Sequence, residues 1–423
     1  MNTEIIKGKK LLILAGGPYL ITLVERAKEL GVYTIVTDYY DTKTSPAKLV
    51  ADEYWDISWE DLDTLEKKCR EEHIDGITTG YSESPVECCI KLCERLGLPC
   101  YCTQEQLDFT RDKVRFKEVC RRNGVPVVKE YSSIEEVDEF PVIMKPVDRA
   151  GSIGVGVATC KEELRPVYDY AMEMSYSKHV IIEKYITGTK VDVYYEIREG
   201  EINLLSTSSS IFGKDNGYER VVQSAWYLPA HAHDLIVKEA DPALRRLIAD
   251  LGIKNGYIFI SGFEEKGKLV FFETGFRLCG GHLYNYYVDL GHVNNLDIFI
   301  YHALTGSTRD VPIPSGGNPE MKCMTVNIYV KGGTIGRIDG FEEIGAMKDC
   351  RFTSITGHVG QECRDDKAIL DKVGMYYFCS PSAEKLQQDT EAAYKILKVT
   401  DVNGNDMIYD RIDTSVISHL WDK

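Results

Sequence analysis

With 423 residues the chain has room for two to four domains, each with its own core. Its 43% hydrophobic and 27% charged residues are those of an ordinary soluble globular protein, and a formal net charge of −16 argues against non-specific binding to nucleic acid or an anionic membrane surface. No apolar run approaches the roughly 18 residues of a membrane span, and the opening MNTEIIKGKKLLILAGG is too short in its apolar part for a signal peptide. Thirteen cysteines, an odd number with no Cys-x-x-Cys and no paired Cys/His spacing, read as reduced thiols that mostly pack cores. Such usage points to the cytoplasm.

Lys10 to Leu14 predicts a buried strand, and Gly16-Gly17-Pro18 turns the chain into a helix whose Leu20, Leu23, Val24, Ala27 and Leu30 share a face. A strand at Tyr33 to Thr37, a helix near Leu62 to Cys69, a strand near Ile77 to Thr79, a helix from Pro85 to Leu96 and a strand at Leu98 to Tyr101 follow. This alternation predicts a parallel sheet covered on both faces. Asp38, Ser82 and Glu83 fall at carboxyl ends of its strands, where they either line a small-substrate site or serve as ordinary loop polar residues. A full G-x-G-x-x-G is missing after the first strand, which disfavours a dinucleotide site.

Arg111 to Gly124 is a basic helix, with Val114 and Val119 turned inward and Phe116 a third candidate. The composition becomes strand-rich here, so a domain boundary is expected near residue 110. The stretch PVIMKPVDRAGSIGVGVA, residues 141–158, opens as a buried strand that Lys145 closes and Pro146 stops. Gly151, Gly154 and Gly156 around Ser152 then make either a nest of backbone N–H groups for phosphate or a plain hairpin. No P-loop is present, because no Gly-Lys-Ser/Thr follows a glycine at the required spacing.

Beyond a helix near Lys161 to Met174, the strand within His179 to Ile186 ends in Glu183 and Lys184, and Thr189 to Arg198 pairs with Ile202 to Thr207 as a hairpin. A helix from Asp234 to Leu251 is interrupted at Pro242. A second hairpin, Gly256 to Phe263 and Leu269 to Thr274, delivers Glu273 and Arg277 ahead of Cys279-Gly280-Gly281-His282. That carboxylate and arginine suit a metal and an anion, or else form a local ion pair. Residues 311–319 read as a Pro/Gly linker, followed by strands at Met324 to Val330 and Met375 to Cys379 and a helix at Ala383 to Ile396. The expected domains are therefore 1–110, 111–310 and 320–423.

The parallel αβ region, the basic helix, the strand ending in Lys-Pro, the Gly/Ser loop, the Glu-Lys-Tyr-Ile strand and the Glu-x-x-x-Arg strand together resemble the ATP-grasp superfamily. The likeness runs from about residue 10 to 420 and is greatest to the carbamoyl-phosphate-synthase-like and L-amino-acid-ligase branch of carboxylate–amine ligases. It implies a mixed α/β and α+β fold: an N-terminal parallel αβ (pre-ATP-grasp) domain, an ATP-grasp domain of two subdomains and a C-terminal α+β subdomain. It also implies ATP and Mg2+, with Mn2+ as a substitute. Lys113 would sit over the nucleotide phosphates and Lys145 at the α-phosphate and adenine edge. Gly151, Ser152, Gly154 and Val155 would close on the β- and γ-phosphates, and Glu183, Lys184 and Ile186 would read adenine. Lys190 stands where the family usually offers a glutamate to the ribose, so Asp192 is the expected replacement.

For the metal the resemblance implies Glu273. Ser261 takes the place of the usual earlier carboxylate and Gly275 that of an asparagine, which leaves Glu264 or Glu265 to reach in, or Glu273 to act with phosphates and waters. The implied reaction joins a small carboxylate and an amine, amino acids foremost, through an acyl phosphate, with Lys113 and Arg277 neutralising charge. His282 would orient the amine or serve only as a loop residue. No nucleic acid or membrane partner is implied, and homodimerisation is left open. Two alternatives stand beside this: an ATP-grasp nucleotide sensor without catalysis, favoured by Ser261 and Lys190, and a carboxyphosphate-forming carboxylase, for which no biotin-carrier lysine segment is seen.

Overall fold

The computed structural model describes residues 2–149, 153–213, 222–313, 316–364 and 371–422. The apolar runs Lys10–Leu14, Tyr33–Thr37 and Gly76–Thr78 form a parallel sheet together with Glu53–Trp55, with Lys10–Leu14 and Tyr33–Thr37 at the centre. Helices Ile21–Glu29, Leu62–Glu71 and Glu83–Leu96 cover it, as the alternating pattern requires. The segment expected to be a strand at 98–101 is a loop. Its apolar side chains pack instead of pairing, and the Tyr101 ring meets Phe276 and Phe299 edge-on.

The basic helix is split. Gln104–Arg111 forms one helix behind a Thr103/Gln106 capping box, and Lys113–Arg122 forms a second whose cap is the Asp112 carboxylate. Phe116 and Val119 are buried, whereas Val114, expected inward, is exposed and Lys117 is wholly buried in its stead. Beyond this helix lies a lid. Its sheet runs Glu130–Tyr131, Val180–Lys184, Val142–Pro146, Gly156–Ala158, and helix Leu164–Met174 packs on it over a separate core of Val142, Met144, Ala158, Leu164, Ala171 and Ile182.

The body is an eight-stranded antiparallel sheet in the order Lys268–Gly275, Gly256–Glu265, Thr189–Arg198, Glu201–Phe212, Gln223–Leu228, Lys322–Val330, Asp371–Ser380, Cys350–Ile355. Strand Gln223–Leu228 pairs directly with Lys322–Val330, so one sheet continues across the linker at 311–319. Helix Asp241–Asp250 begins with Pro242 in its first turn, and the residues before it, Ile236–Ala240, form a π turn. Helix Asn295–Thr305, unmarked in the sequence pattern, is buried along nearly its whole length and docks on the N-terminal domain, where Asp297 pairs with Arg26. Rings of Tyr19, His282, Phe352 and Tyr377 stack in succession, joining the N-terminal domain to the C-terminal strands. Among the described residues no helix is long and apolar enough to cross a membrane.

Candidate functional site

Lid, body and helix Lys113–Arg122 enclose a cleft of 1390 Å³. Each wall contributes a charge. The helix starts with Lys113, the strand Val142–Pro146 brings Lys145 to its end, and the hairpin Gly256–Gly275 brings Glu273 and, just past it, Arg277. Glu83, at the start of a helix in the N-terminal domain, completes the lining opposite Arg277, with Oε1 3.6 Å from Arg277 Nε. That Nε is shut off from solvent and has no hydrogen-bond acceptor. Glu83 offsets the charge as an ion pair, but the buried donor itself makes no hydrogen bond, a cost that a closer anionic ligand would remove.

Lys145 Nζ rests 2.5 Å from Glu183 Oε2. Glu183 is buried and also meets Lys117, which lies 2.6 Å from Glu130. Burial alone would raise the Glu183 pKa, but Lys145 and Lys117 outweigh it and hold the carboxyl below its ordinary range. Lys113 behaves in the opposite sense. Burial first, and Lys145 second, lower its pKa, against Glu273, Glu183 and Glu83. Two lysines this crowded favour a polyanion between them.

The structure gathers Lys113, Lys145, Val155, Glu273 and Arg277 on the cleft wall. Glu183, Lys184 and Ile186 do not line it. Glu183 lies beneath Lys145, the Lys184 N–H donates to the Lys129 carbonyl, and the Lys184 ammonium is 3.4 Å from Glu139. Asp192 is not on the wall either. Its buried carboxylate accepts from Ser261 Oγ at 2.5 Å and lies 3.2 Å from Lys190 Nζ. Gly154 sits at φ 75°, and a side chain there would run into Met174 and Pro146, so this glycine is needed by the packing of the loop. Gly151 and Ser152 lie outside the described residues. Asp38 is structural, accepting from the Gly16 N–H and Ser45 Oγ. His282 is inside the ring stack, and burial, helped by Lys372, drops its pKa to about 3, so it is neutral there.

Asp192, Ser261 and Glu273 stand opposite one another on three adjacent strands, in one row. Ser261 is spent on Asp192, Glu264 on His231 and the Gly267 N–H, and Glu265 on Thr187. None of the three is left to join Glu273. Lys190 shares the row's face, and although burial alone would lower its pKa, Asp192 and Glu273 raise it. Magnesium takes one or two carboxylates together with substrate phosphates and waters, so Glu273, exposed at the cleft, fits as the single protein ligand of one ion. Gly275 is glycine for a steric reason. A Cβ there would lie 2.4 Å from the Phe259 ring, over which the Arg277 guanidinium sits at 5.4 Å.

Two arginines of the cleft were given no site role by the sequence pattern, Arg149 and Arg111. Arg149 lines the opening, held by the Met174 carbonyl and the Tyr176 ring. Its one signal was its place between Lys145 and the glycines. Arg111 also lines the cleft and grips Glu87 and the Glu83 carbonyl.

Residues 138–283 match the family profile described as the ATP-grasp domain. The chain is 29% identical over 168 residues to a D-alanine–D-alanine ligase of Fusobacterium nucleatum, a stretch covering 39% of this chain and 55% of that one. It is 25% identical over 299 residues to a carbamoyl phosphate synthase large chain of Clostridium beijerinckii, covering 65% of this chain and 27% of that one. The chain thus spans about half the length, or less, of these curated relatives. The crystal structure of an L-amino acid ligase from Bacillus licheniformis superposes with a TM-score of 0.73 at 18% identity, covering 93% of this chain and 99% of that one. Residues 138–283 thus match an ATP-grasp domain, and the chain shares its fold with the L-amino acid ligase structure.

Proposed function

We propose that this protein is an ATP-dependent carboxylate–amine ligase that forms an amide or peptide bond through an acyl phosphate and releases ADP and phosphate. The observation that supports it best is the Arg277 Nε, a buried donor that makes no hydrogen bond beyond its ion pair with Glu83, in a cleft that also holds Lys113, Lys145 and Glu273. Amino acids are the foremost substrates, and the cytoplasm is the expected location.

ATP would lie between lid and body with its phosphates toward Lys113, Lys145 and Val155, the residues that line the cleft. Arg277 holds the substrate carboxylate by two parallel hydrogen bonds that a lysine could not make. A carboxylate oxygen attacks the γ-phosphorus in line, the bond to the β,γ-bridging oxygen breaks, and Lys113 and Lys145 neutralise the charge left on ADP. Glu273 would hold a magnesium ion, which would supply positive charge to the transferring phosphoryl group. The amine then attacks the acyl carbon and phosphate leaves. Glu83, facing Arg277, is the carboxylate available to hold that amine.

A second reading, a nucleotide sensor, is favoured by one observation: Ser261 is committed to Asp192, and Lys190 places an ammonium beside the metal row. ADP release in magnesium across a panel of amino acids and small acids, with and without amines, separates the two. Glu273→Gln keeps the side chain's size and removes its charge. It should retain ATP binding by calorimetry within about ten-fold, while substrate-dependent ADP release falls at least about a hundred-fold. If both proteins bind ATP alike and neither makes ADP with any pair, the sensor reading stands and the ligase reading fails.

A further inference from the structure

Far from the charges of the cleft, the N-terminal domain brings three thiols to one point. Cys89 and Cys93 lie one turn apart on the buried face of helix Glu83–Leu96, and Cys100 returns to them from the loop beyond the helix. Among the described residues this is the one group of three potential metal-ligating side chains whose ligand atoms all lie within 4.8 Å of one another. The Cys89 and Cys93 sulfurs are 4.0 Å apart. Cys89 and Cys93 are buried, and Cys100 is half-buried.

The spacing suits a metal. Three sulfurs on a triangle with 4.0 Å sides lie about 2.3 Å from its centre, the length of a zinc–thiolate bond. On a triangle with 4.8 Å sides they lie about 2.8 Å away, so a shift of about half an ångström per sulfur closes the site. The neighbours are apolar, Leu65, Ile77 and Leu92 among them, so a thiolate here lacks the solvation water would give.

We propose that Cys89, Cys93 and Cys100 form a thiolate site for a thiophilic d10 cation, zinc or copper(I). Soft sulfur ligands select these metals over the magnesium of the cleft. Binding displaces the thiol protons and staples the end of helix Glu83–Leu96 to the loop that follows it.

The test uses the full chain, reduced and stripped with a chelator, then titrated without oxygen. Cd2+ serves as the probe for zinc, and Cu+ is delivered from a chromophoric chelator. The expected result is one equivalent bound by at least one of the two, with Cd2+ or Cu+ giving an ultraviolet thiolate-to-metal charge-transfer band. Affinity should fall at least about a hundred-fold in Cys93→Ser and in Cys100→Ser, more than loss of a supporting group would give. Cys350→Ser, a half-buried thiol elsewhere, should bind as wild type does. Absence of the band with both metals overturns the proposal, and so does a band that survives in Cys100→Ser. If Cys93→Ser fails to fold by circular dichroism, Cys100→Ser, on the loop beyond the helix, decides alone.

Discussion

Lys145 holds two positions at once, as a cation facing the cleft and as one of two partners of the buried Glu183. Lys145→Ala should therefore weaken ATP binding strongly in calorimetry and also lower stability by on the order of 1–3 kcal/mol, because Glu183 keeps only Lys117. Lys145→Ala combined with Glu183→Gln should recover part of the lost melting temperature and none of the ATP affinity. Equal melting temperatures for wild type and Lys145→Ala would contradict this. At the metal row, Lys190→Ala removes an ammonium that acts on Glu273. Binding of Mn2+ with nucleotide, followed by electron paramagnetic resonance, should tighten by on the order of five-fold; weaker binding would mean Lys190 supports the site. Lys113, Lys145, Glu273 and Arg277 were legible because charged residues at helix starts and strand ends beside glycines have few other uses. Lys117 was not, since nothing in a basic helix marks which lysine turns inward to a carboxylate that arrives 66 residues later.

Among elements, strand Thr189–Arg198 carries the clearest pH signature. Glu196 is buried beside Arg198, 2.9 Å from its Nε, yet its Oε2 has no hydrogen-bond partner. Burial, opposed by Arg198, raises its pKa from the ordinary 4.5 to about 7. A carboxyl raised on folding gives stability that is complete below its unfolded pKa and is lost as pH rises through the folded one. Between pH 4.5 and 8, the unfolding free energy of Glu196→Gln should accordingly gain on that of wild type by on the order of 2–3 kcal/mol in urea titrations. A difference that stays flat with pH would rule this out. Periodicity made most elements legible, including the break at Pro242. It failed where it carries little information: helix Asn295–Thr305 is buried on all sides, so no single face stands out as apolar, and Leu98 to Tyr101 has a strand's composition while serving as packing.

At the scale of the molecule, the main apolar core runs from Ile6 in the N-terminal domain to Cys379 in the last body strands, while the lid keeps a small core of its own. The mixed architecture was readable from alternating and then hairpin-like patterns, but strand order was not, because pairing across more than ninety residues leaves no local mark. A chain ending at residue 310 should fail to give a soluble monomer in size-exclusion chromatography, since it leaves strand Gln223–Leu228 with a bare edge. A folded monomer of that length would show that the last hundred residues are separable.

The same pairing has a consequence during synthesis. Strand Gln223–Leu228 leaves the ribosome before its neighbour Lys322–Val330 has been translated. The roughly 90 intervening residues take about 5–20 s at ordinary elongation rates. For that interval the nascent body presents an open β-edge. Chaperone demand for this protein should therefore be set by the distance between two strands along the message rather than by the stability of the finished fold.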